Sequence, residues 1–244
     1  MRNQVLQGDC LELMKDIPDG SVDMILADLP YGTTACKWDT IIPFEPLWEQ
    51  YKRIIKPNGA IVLTASQPFT SALLLSNVRH YRHKWVWNKN NSAGFATVKI
   101  RPFQICEDVL VFGRNKVNYY PIMEERGEPR NKDGYTRSEN YGLKPTKTGK
   151  KSNLYYPKNL LNFSNASQKG KVHPTQKPVA LFEYLIKTYT NEGDLVLDNV
   201  AGSGTTGVAC QNLNRNFILM EQEPEYVEII KQRLLDNNNQ QELI

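Results

Sequence analysis

Residues 195–207 read Leu195-Val196-Leu197-Asp198-Asn199-Val200-Ala201-Gly202-Ser203-Gly204-Thr205-Thr206-Gly207. A short apolar run that ends in a carboxylate reads as a buried strand. A glycine turn then opens a helix. Glycine lets backbone approach a ligand closely, and a helix N-terminus offers free N–H groups and positive potential. Gly202 to Gly207 is formally G-x-G-x-x-G, and Glu221 lies 19 residues beyond Gly202. Both facts fit a dinucleotide fold. They fit an S-adenosylmethionine site equally well, because an acid ending the next strand can accept both ribose hydroxyls. Two details separate the readings. In a dinucleotide loop the first glycine usually follows the strand directly, whereas Asp198 to Ala201 intervene here. Asp198 would also repel a pyrophosphate but suits cationic or hydroxyl groups. A phosphate-binding P-loop is excluded, since Val208 stands where lysine is needed.

Around this loop the chain alternates strand and helix. Val5–Leu6 starts a strand, and Cys10, Leu11, Met14 and Ile17 recur at helical spacing. Val22 to Ala27 is a buried strand stopping at Asp28. Leu47, Tyr51, Ile54 and Ile55 mark a helix face that ends at the turn 56–59, and 60–65 is the next buried strand. Residues 81–88 and 107–113 read as two further strands. Periodicity fades over 114–170. A helix is expected over 178–190, strands over 195–198 and 217–221, and helices over 205–212 and 223–235. Repeated βα units imply a mostly parallel, doubly wound α/β sheet.

In such a sheet ligands bind at the carboxyl ends of the strands. Asp28-Leu29-Pro30-Tyr31 follows a strand and so faces the same crevice as the glycine loop. Its chemistry suits an exocyclic amine such as N6 of adenine, whose lone pair is delocalised into the ring. The Asp28 carboxylate and a carbonyl at Leu29 or Pro30 can accept its N–H bonds and aim the lone pair at a methyl donor. Tyr31 can stack on the base. Alone, the four residues also suit an ordinary strand-end turn.

The chain has 244 residues, 40% apolar and 23% charged, with a net charge of +4. This is a globular composition. No apolar run is long enough to span a membrane, and the N-terminus lacks the apolar core of a signal peptide, so a cytoplasmic protein is expected. Charge is segregated. Residues 79–101 hold six Lys/Arg and no acid; 114–170 hold 12 Lys/Arg, five Asp/Glu and six of the 12 tyrosines. Basic residues interleaved with aromatics suit phosphate contacts beside base stacking. They equally suit a solvated, loop-rich insertion.

Together these motifs resemble the S-adenosylmethionine-dependent DNA amino-methyltransferases. Asp28–Tyr31 resembles the family's Asp-Pro-Pro-Tyr, and Asp198–Thr206 its cofactor loop. His173-Pro174-Thr175-Gln176-Lys177-Pro178 resembles the segment before that loop, Gly8-Asp9-Cys10 the cofactor-adenine site, and Trp85–Lys89 with the run to Glu107 the wall of the target-base pocket. The catalytic motif precedes the cofactor loop, which is the permuted order of the beta group. The resemblance implies a Rossmann-like methyltransferase domain formed by 1–113 and 171–244, with 114–170 inserted as a target-recognition region. It implies catalysis at Asp28, Leu29, Pro30 and Tyr31. Cofactor contacts are expected from Asp9, Cys10, Asp28, His173, Thr175, Lys177, Asp198, Ala201, Gly202, Ser203, Gly204, Thr205, Thr206, Glu221 and Gln222. DNA contacts are expected from Trp85, Asn88, Lys89, Arg101, Arg126, Arg130, Lys132 and Arg137.

The implied reaction is methylation of adenine N6 in double-stranded DNA, on a base flipped into the crevice. Leu29 replaces the first motif proline, and Asn199 and Val200 replace Pro and Phe. Asp28 is the form associated with adenine; cytosine N4 remains the nearest alternative. A homodimer, and a cognate restriction endonuclease as partner, are compatible with the resemblance, as is a bacterial or phage-encoded, nucleoid-associated protein. No membrane or metal partner is expected. Cytosine-C5 chemistry needs a cysteine nucleophile, typically after proline, and Cys10, Cys36, Cys106 and Cys210 follow Asp, Ala, Ile and Ala. His80, His83 and His173 with those scattered cysteines form no zinc set. An NAD-dependent oxidoreductase would leave Asp28–Tyr31 and the basic insertion unexplained. A non-catalytic nucleic-acid-binding module would bind DNA normally without Asp28 and would have no cofactor affinity.

Overall fold

The computed structural model describes residues 2–33, 39–93, 98–131, 134–135, 145–146, 151–165 and 176–241. Chain contacts divide it into a large unit, 1–120 with 159–244, and a small one, 121–158.

The large unit is built from β1 (Gln4–Gln7), α1 (Cys10–Leu13), β2 (Val22–Ala27), α2 (Phe44–Ile54), β3 (Ile55–Ala65), α3 (Phe69–Ser76), β4 (Tyr81–Ala93) and β5 (Gln104–Phe112). The small unit holds β6 (Glu124–Asn131), β7 (Gly134–Tyr135), β8 (Pro145–Thr146) and β9 (Lys151–Tyr155). Back in the large unit come β10 (Leu160–Asn162), α4 (Val179–Tyr189), β11 (Leu195–Asp198), α5 (Thr205–Asn212), β12 (Asn216–Glu221) and α6 (Pro224–Gln241).

Eight strands form one sheet in the order β1-β12-β11-β2-β3-β5-β4-β10. Pairing is parallel from β1 through β3 and between β4 and β10; β5 alone runs antiparallel to its neighbours. The mostly parallel α/β sheet is therefore as expected. Alternation along β2 divides the core between the two faces. Met24 and Leu26 pack with Trp85, Trp87 and the helices α4, α5 and α6. Ile25 and Ala27 pack with α1, α2 and α3 residues on the other side. A strand buried on both faces must be apolar throughout, which is why β2, β11 and β12 read as continuous runs.

Several boundaries differ from the sequence reading. Residues 56–59 are not a free turn but a bulge at the start of β3, so that Val22 pairs with Ile55 and Met24 with Ala60. Helix α3 gave no amphipathic signal because its Phe69-Thr70-Ser71-Ala72-Leu73-Leu74-Leu75 run is apolar on nearly every side. Residues 114–120 lie with the large unit: Asn118 N–H donates to the Asn58 carbonyl and Tyr120 N–H to that of Thr188. In the small unit β6 and β9 form an antiparallel ribbon running from Glu124↔Tyr155 to Asn131↔Lys151.

Candidate active site

The parallel strands β1, β12, β11, β2 and β3 end on one edge of the sheet. β4 ends there too, and β5, running the other way, begins there. Asp28 and Leu29 follow β2, Asp198 ends β11, Glu221 ends β12, Thr64 lies near the end of β3, and Glu107 lies opposite Trp87 near the start of β5. Residues up to 193 positions apart in sequence are thus gathered by strand direction alone.

Asp28 is the hub of one half of this edge. Its Oδ1 accepts hydrogen bonds from the Tyr31 hydroxyl at 2.8 Å and from the Thr64 hydroxyl. Its Oδ2 receives Lys177 Nζ at 2.7 Å. Tyr31 stacks on Phe69, ring centres 5.2 Å apart. Burial, then the charges of Asp28 and Glu107, push the Tyr31 hydroxyl well above its ordinary pKa, so it donates and never ionises. Lys177 Nζ also lies 3.5 Å from Glu107 Oε2, and 5.8 Å and 6.0 Å from the Tyr31 and Trp87 ring centres. Burial alone would drive the ammonium toward neutrality. The Asp28 and Glu107 carboxylates outweigh it, and the pKa of Lys177 is raised.

The glycine loop is the other half. Asp198 is buried, accepts the Thr206 hydroxyl at 2.5 Å and the Val200 N–H at 3.1 Å, and is pushed up to about 7, chiefly by burial. Like charge from Asp28 and Glu221 adds to that rise. Glu221 accepts the Gly202 N–H through Oε2 at 2.8 Å and the Glu223 N–H through Oε1 at 3.0 Å. Gly202 and Gly204 both have positive φ, 52° and 79°, which glycine alone adopts without strain. A Cβ on Gly202 would meet nothing within 4 Å, whereas one on Gly204 would press on Ile230. Gly202 therefore presents bare backbone to open space, and Gly204 provides close packing for α6. Arg233 holds the Ser203 carbonyl and, at 3.0 Å, its hydroxyl.

A buried carboxylate with a raised pKa beside exposed glycine backbone suits a cationic ligand and rejects a phosphate. That donor set fits S-adenosylmethionine better than a dinucleotide.

Other expected residues fall variously. Asp9 caps α1, its Oδ1 accepting the N–H groups of Leu11 and Glu12. Cys10 Sγ accepts from Asn199 at 3.4 Å, and Asn199 Oδ1 takes the Tyr51 hydroxyl at 2.5 Å. The departure at Asn199 is thus a buried polar link between α1, α2 and the cofactor loop. Ala201 N–H donates to the Met220 carbonyl, and the Thr205 hydroxyl to the Lys177 carbonyl. Gln222 follows Glu221 on the same edge. Lys177, expected to hold the cofactor, instead turns its ammonium to Asp28.

Two DNA assignments need correction. Trp85 is 3% exposed and donates its indole N–H to the Tyr189 hydroxyl at 2.7 Å, so it is core and has no face for a base. Lys89 is spent internally on Glu107 at 3.0 Å. The signal was there: His83, Trp85 and Trp87 alternate along the period-2 strand and turn to one face, where Tyr189 meets His83 and Trp85. Trp87 and Glu107, which complete the site, were not singled out as site residues. Asn88 bonds Asn162 on β10, and Arg101 is exposed. Arg126 pairs with Glu124 and lies over Tyr155, and Arg130 is exposed. His173, Thr175, Lys132, Arg137 and Cys36 lie outside the described residues. Among those described no cluster could hold a metal, and no helix is long and apolar enough to cross a membrane.

A doubly wound sheet with a carboxylate-aromatic turn and a glycine loop on one edge is the architecture of a Rossmann-like methyltransferase. The comparisons define it further. A family model described as DNA methylase, that of the N6/N4 methyltransferases, matches residues 22–232, and the chain belongs to this family. The chain is 29% identical to the type II methyltransferase M.HpaI of Haemophilus parainfluenzae, over 96% of this chain and 74% of that protein. It is also 29% identical to M2.MboI of Moraxella bovis, over 94% and 86%. The crystal structure of the M1.HpyAVI–SAM complex aligns with a TM-score of 0.65 at 30% identity, covering 95% of this chain and 98% of that one. PvuII cytosine-N4 methyltransferase shares the fold, with a TM-score of 0.67 at 18% identity.

Proposed function

We propose that this DNA methyltransferase transfers a methyl group to the N6 amine of adenine in double-stranded DNA, with S-adenosylmethionine as donor. The observation that carries the reading is the placement of Asp28–Tyr31 and Gly202–Thr206 on one sheet edge. When bound, S-adenosylmethionine supplies an electrophilic methyl on a sulfonium. Glu221 is the acceptor for its ribose hydroxyls, Asp198 the counter-charge for its cationic end, and the backbone of Ala201–Thr206 its cradle. The Asp28 carboxylate and a carbonyl at Leu29 or Pro30 accept the amine's two N–H bonds, and Tyr31 stacks on the base. That aims the lone pair at the methyl donor. The nitrogen would take up the methyl group that the sulfonium supplies as it leaves as a neutral thioether, and the methylated amine would release its proton to solvent. No strong base is required; positioning and electrostatics supply the acceleration.

Methyl transfer from labelled cofactor to unmethylated genomic DNA, followed by nucleoside analysis, tests the reading. Label in N6-methyladenine supports it. Label in N4-methylcytosine keeps the mechanism and corrects the base, and no label overturns it.

The Asp198 assignment predicts a pH dependence. Its folded pKa of about 7 is raised above the ordinary carboxylate value. The folded state therefore holds this proton more tightly, and the stability it contributes is full below about pH 4 and lost as pH climbs through 7. A cationic ligand works the other way, so cofactor affinity rises from pH 6 to pH 8. Calorimetry on the parent and Asp198→Asn checks this: the variant loses the trend.

The exposed Arg101 and Arg130, with Arg126, Lys132 and Arg137, are proposed phosphate contacts, and 121–158 a target-recognition element. DNA affinity then falls about a thousandfold between ~50 and ~200 mM salt, as expected for roughly six neutralised phosphates. A flat salt titration by anisotropy would remove these phosphate contacts from the reading. A homodimer, a cognate restriction endonuclease as partner, and cytoplasmic, nucleoid-associated action in a bacterium or phage-infected cell are further parts of this proposal.

A further inference from the structure

Asp28 has little acceptor capacity left. Thr64 and Tyr31 occupy Oδ1, and the Lys177 ammonium occupies Oδ2. Oδ2 keeps one lone pair, but while it bears the ammonium it is a weakened acceptor, and an incoming amine bonds it at full strength only if the ammonium withdraws. Lys177 is 8% exposed and cannot withdraw into water without breaking its packing between Tyr31 and Trp87. One destination is at hand. Glu107 Oε2 is buried, accepts no hydrogen bond among the described residues, and lies 3.5 Å from Lys177 Nζ. The other oxygen, Oε1, is already anchored by Lys89 at 3.0 Å. So Glu107 is held in place with one acceptor turned toward the ammonium.

We propose that Lys177 caps Asp28 in the free enzyme and is handed over to Glu107 when the target amine arrives, making Glu107 and Lys177 positioning residues for the reaction. This rests on the reading that Asp28 accepts the amine. Charge is conserved throughout: two carboxylates and two ammonium groups remain, and only the partner of Lys177 changes. The cap keeps a buried carboxylate from standing unpaired before the base enters, a state disfavoured by the loss of its hydration. The hand-over then exposes a fully charged acceptor only to an amine that displaces the cap.

Four variants test this, with labelled S-adenosylmethionine and unmethylated genomic DNA at saturation and cofactor affinity measured by calorimetry. Glu107→Gln removes the receiving charge and leaves Lys177 on Asp28. Its kcat falls tenfold or more, while cofactor affinity, which also reports the fold, stays within twofold. Adding Lys177→Met to Glu107→Gln removes the stranded cap and raises kcat at least threefold over the single variant. A merely structural pair would give the opposite sign, with the double variant slower still. A parent-like Glu107→Gln, or a double variant no faster than it, overturns the hand-over. Should Glu107→Gln not fold, Lys177→Arg replaces it. A guanidinium spanning both carboxylates stays on Asp28 and slows kcat tenfold, and a parent-like rate overturns the proposal. Asp28→Ala separates the two levels: full activity there removes the underlying reading, whereas loss of activity there with a normal Glu107→Gln removes only the hand-over.

Discussion

Replacing Asp28 with alanine lowers the methyl-transfer rate about a thousandfold while cofactor binding survives. That is roughly 4 kcal/mol of barrier, the scale found when one preorganised polar group is taken from a developing charge. The loss has two sources. The amine is no longer held by a carboxylate, so its lone pair stays delocalised into the ring. The nitrogen that becomes positive also loses the carboxylate charge beside it. Single-turnover transfer beside calorimetric cofactor binding decides the matter. A variant slowed less than tenfold would place the reacting amine elsewhere.

Trp87→Ala is the substitution with the largest expected effect on stability, about 3–5 kcal/mol. Trp87 is fully buried, and its indole N–H donates to the Phe163 carbonyl at 2.8 Å, tying the chain after β10 to β4. Truncation opens a cavity, orphans that carbonyl and removes one of two rings beside the Lys177 ammonium. Urea unfolding measures the first effect. A loss under 1 kcal/mol would mean that the sheet face closes over the gap. Because the same ring faces the catalytic edge, the variant is also slower at temperatures where it remains folded.

How much of this was legible depended on the distance over which each feature is encoded. The glycine loop and Asp28–Tyr31 are local: strand, carboxylate and turn follow one another, so residue order alone placed both at strand ends. The Lys177–Asp28 pair was not legible. The two lie 149 positions apart, and nothing local distinguishes a lysine that binds a cofactor from one that caps a carboxylate. Trp85 was misplaced for a different reason. The resemblance put it in the wall of the target-base pocket, while the period-2 alternation of β4 turns Trp85 into the core. Asn199 read only as a departure from the motif's proline and is a buried bridge from Tyr51 to Cys10, visible only once α1 and α2 pack on the same face.

Helix α6 closes on the glycine loop from outside: Ile230 fills the space over Gly204, and Arg233 holds the Ser203 carbonyl. During synthesis the loop therefore leaves the ribosome before its brace does. Asp28 and β11 are made first, but the support of Ser203 and Gly204 is complete only once the 18-residue α6 has followed them in the chain.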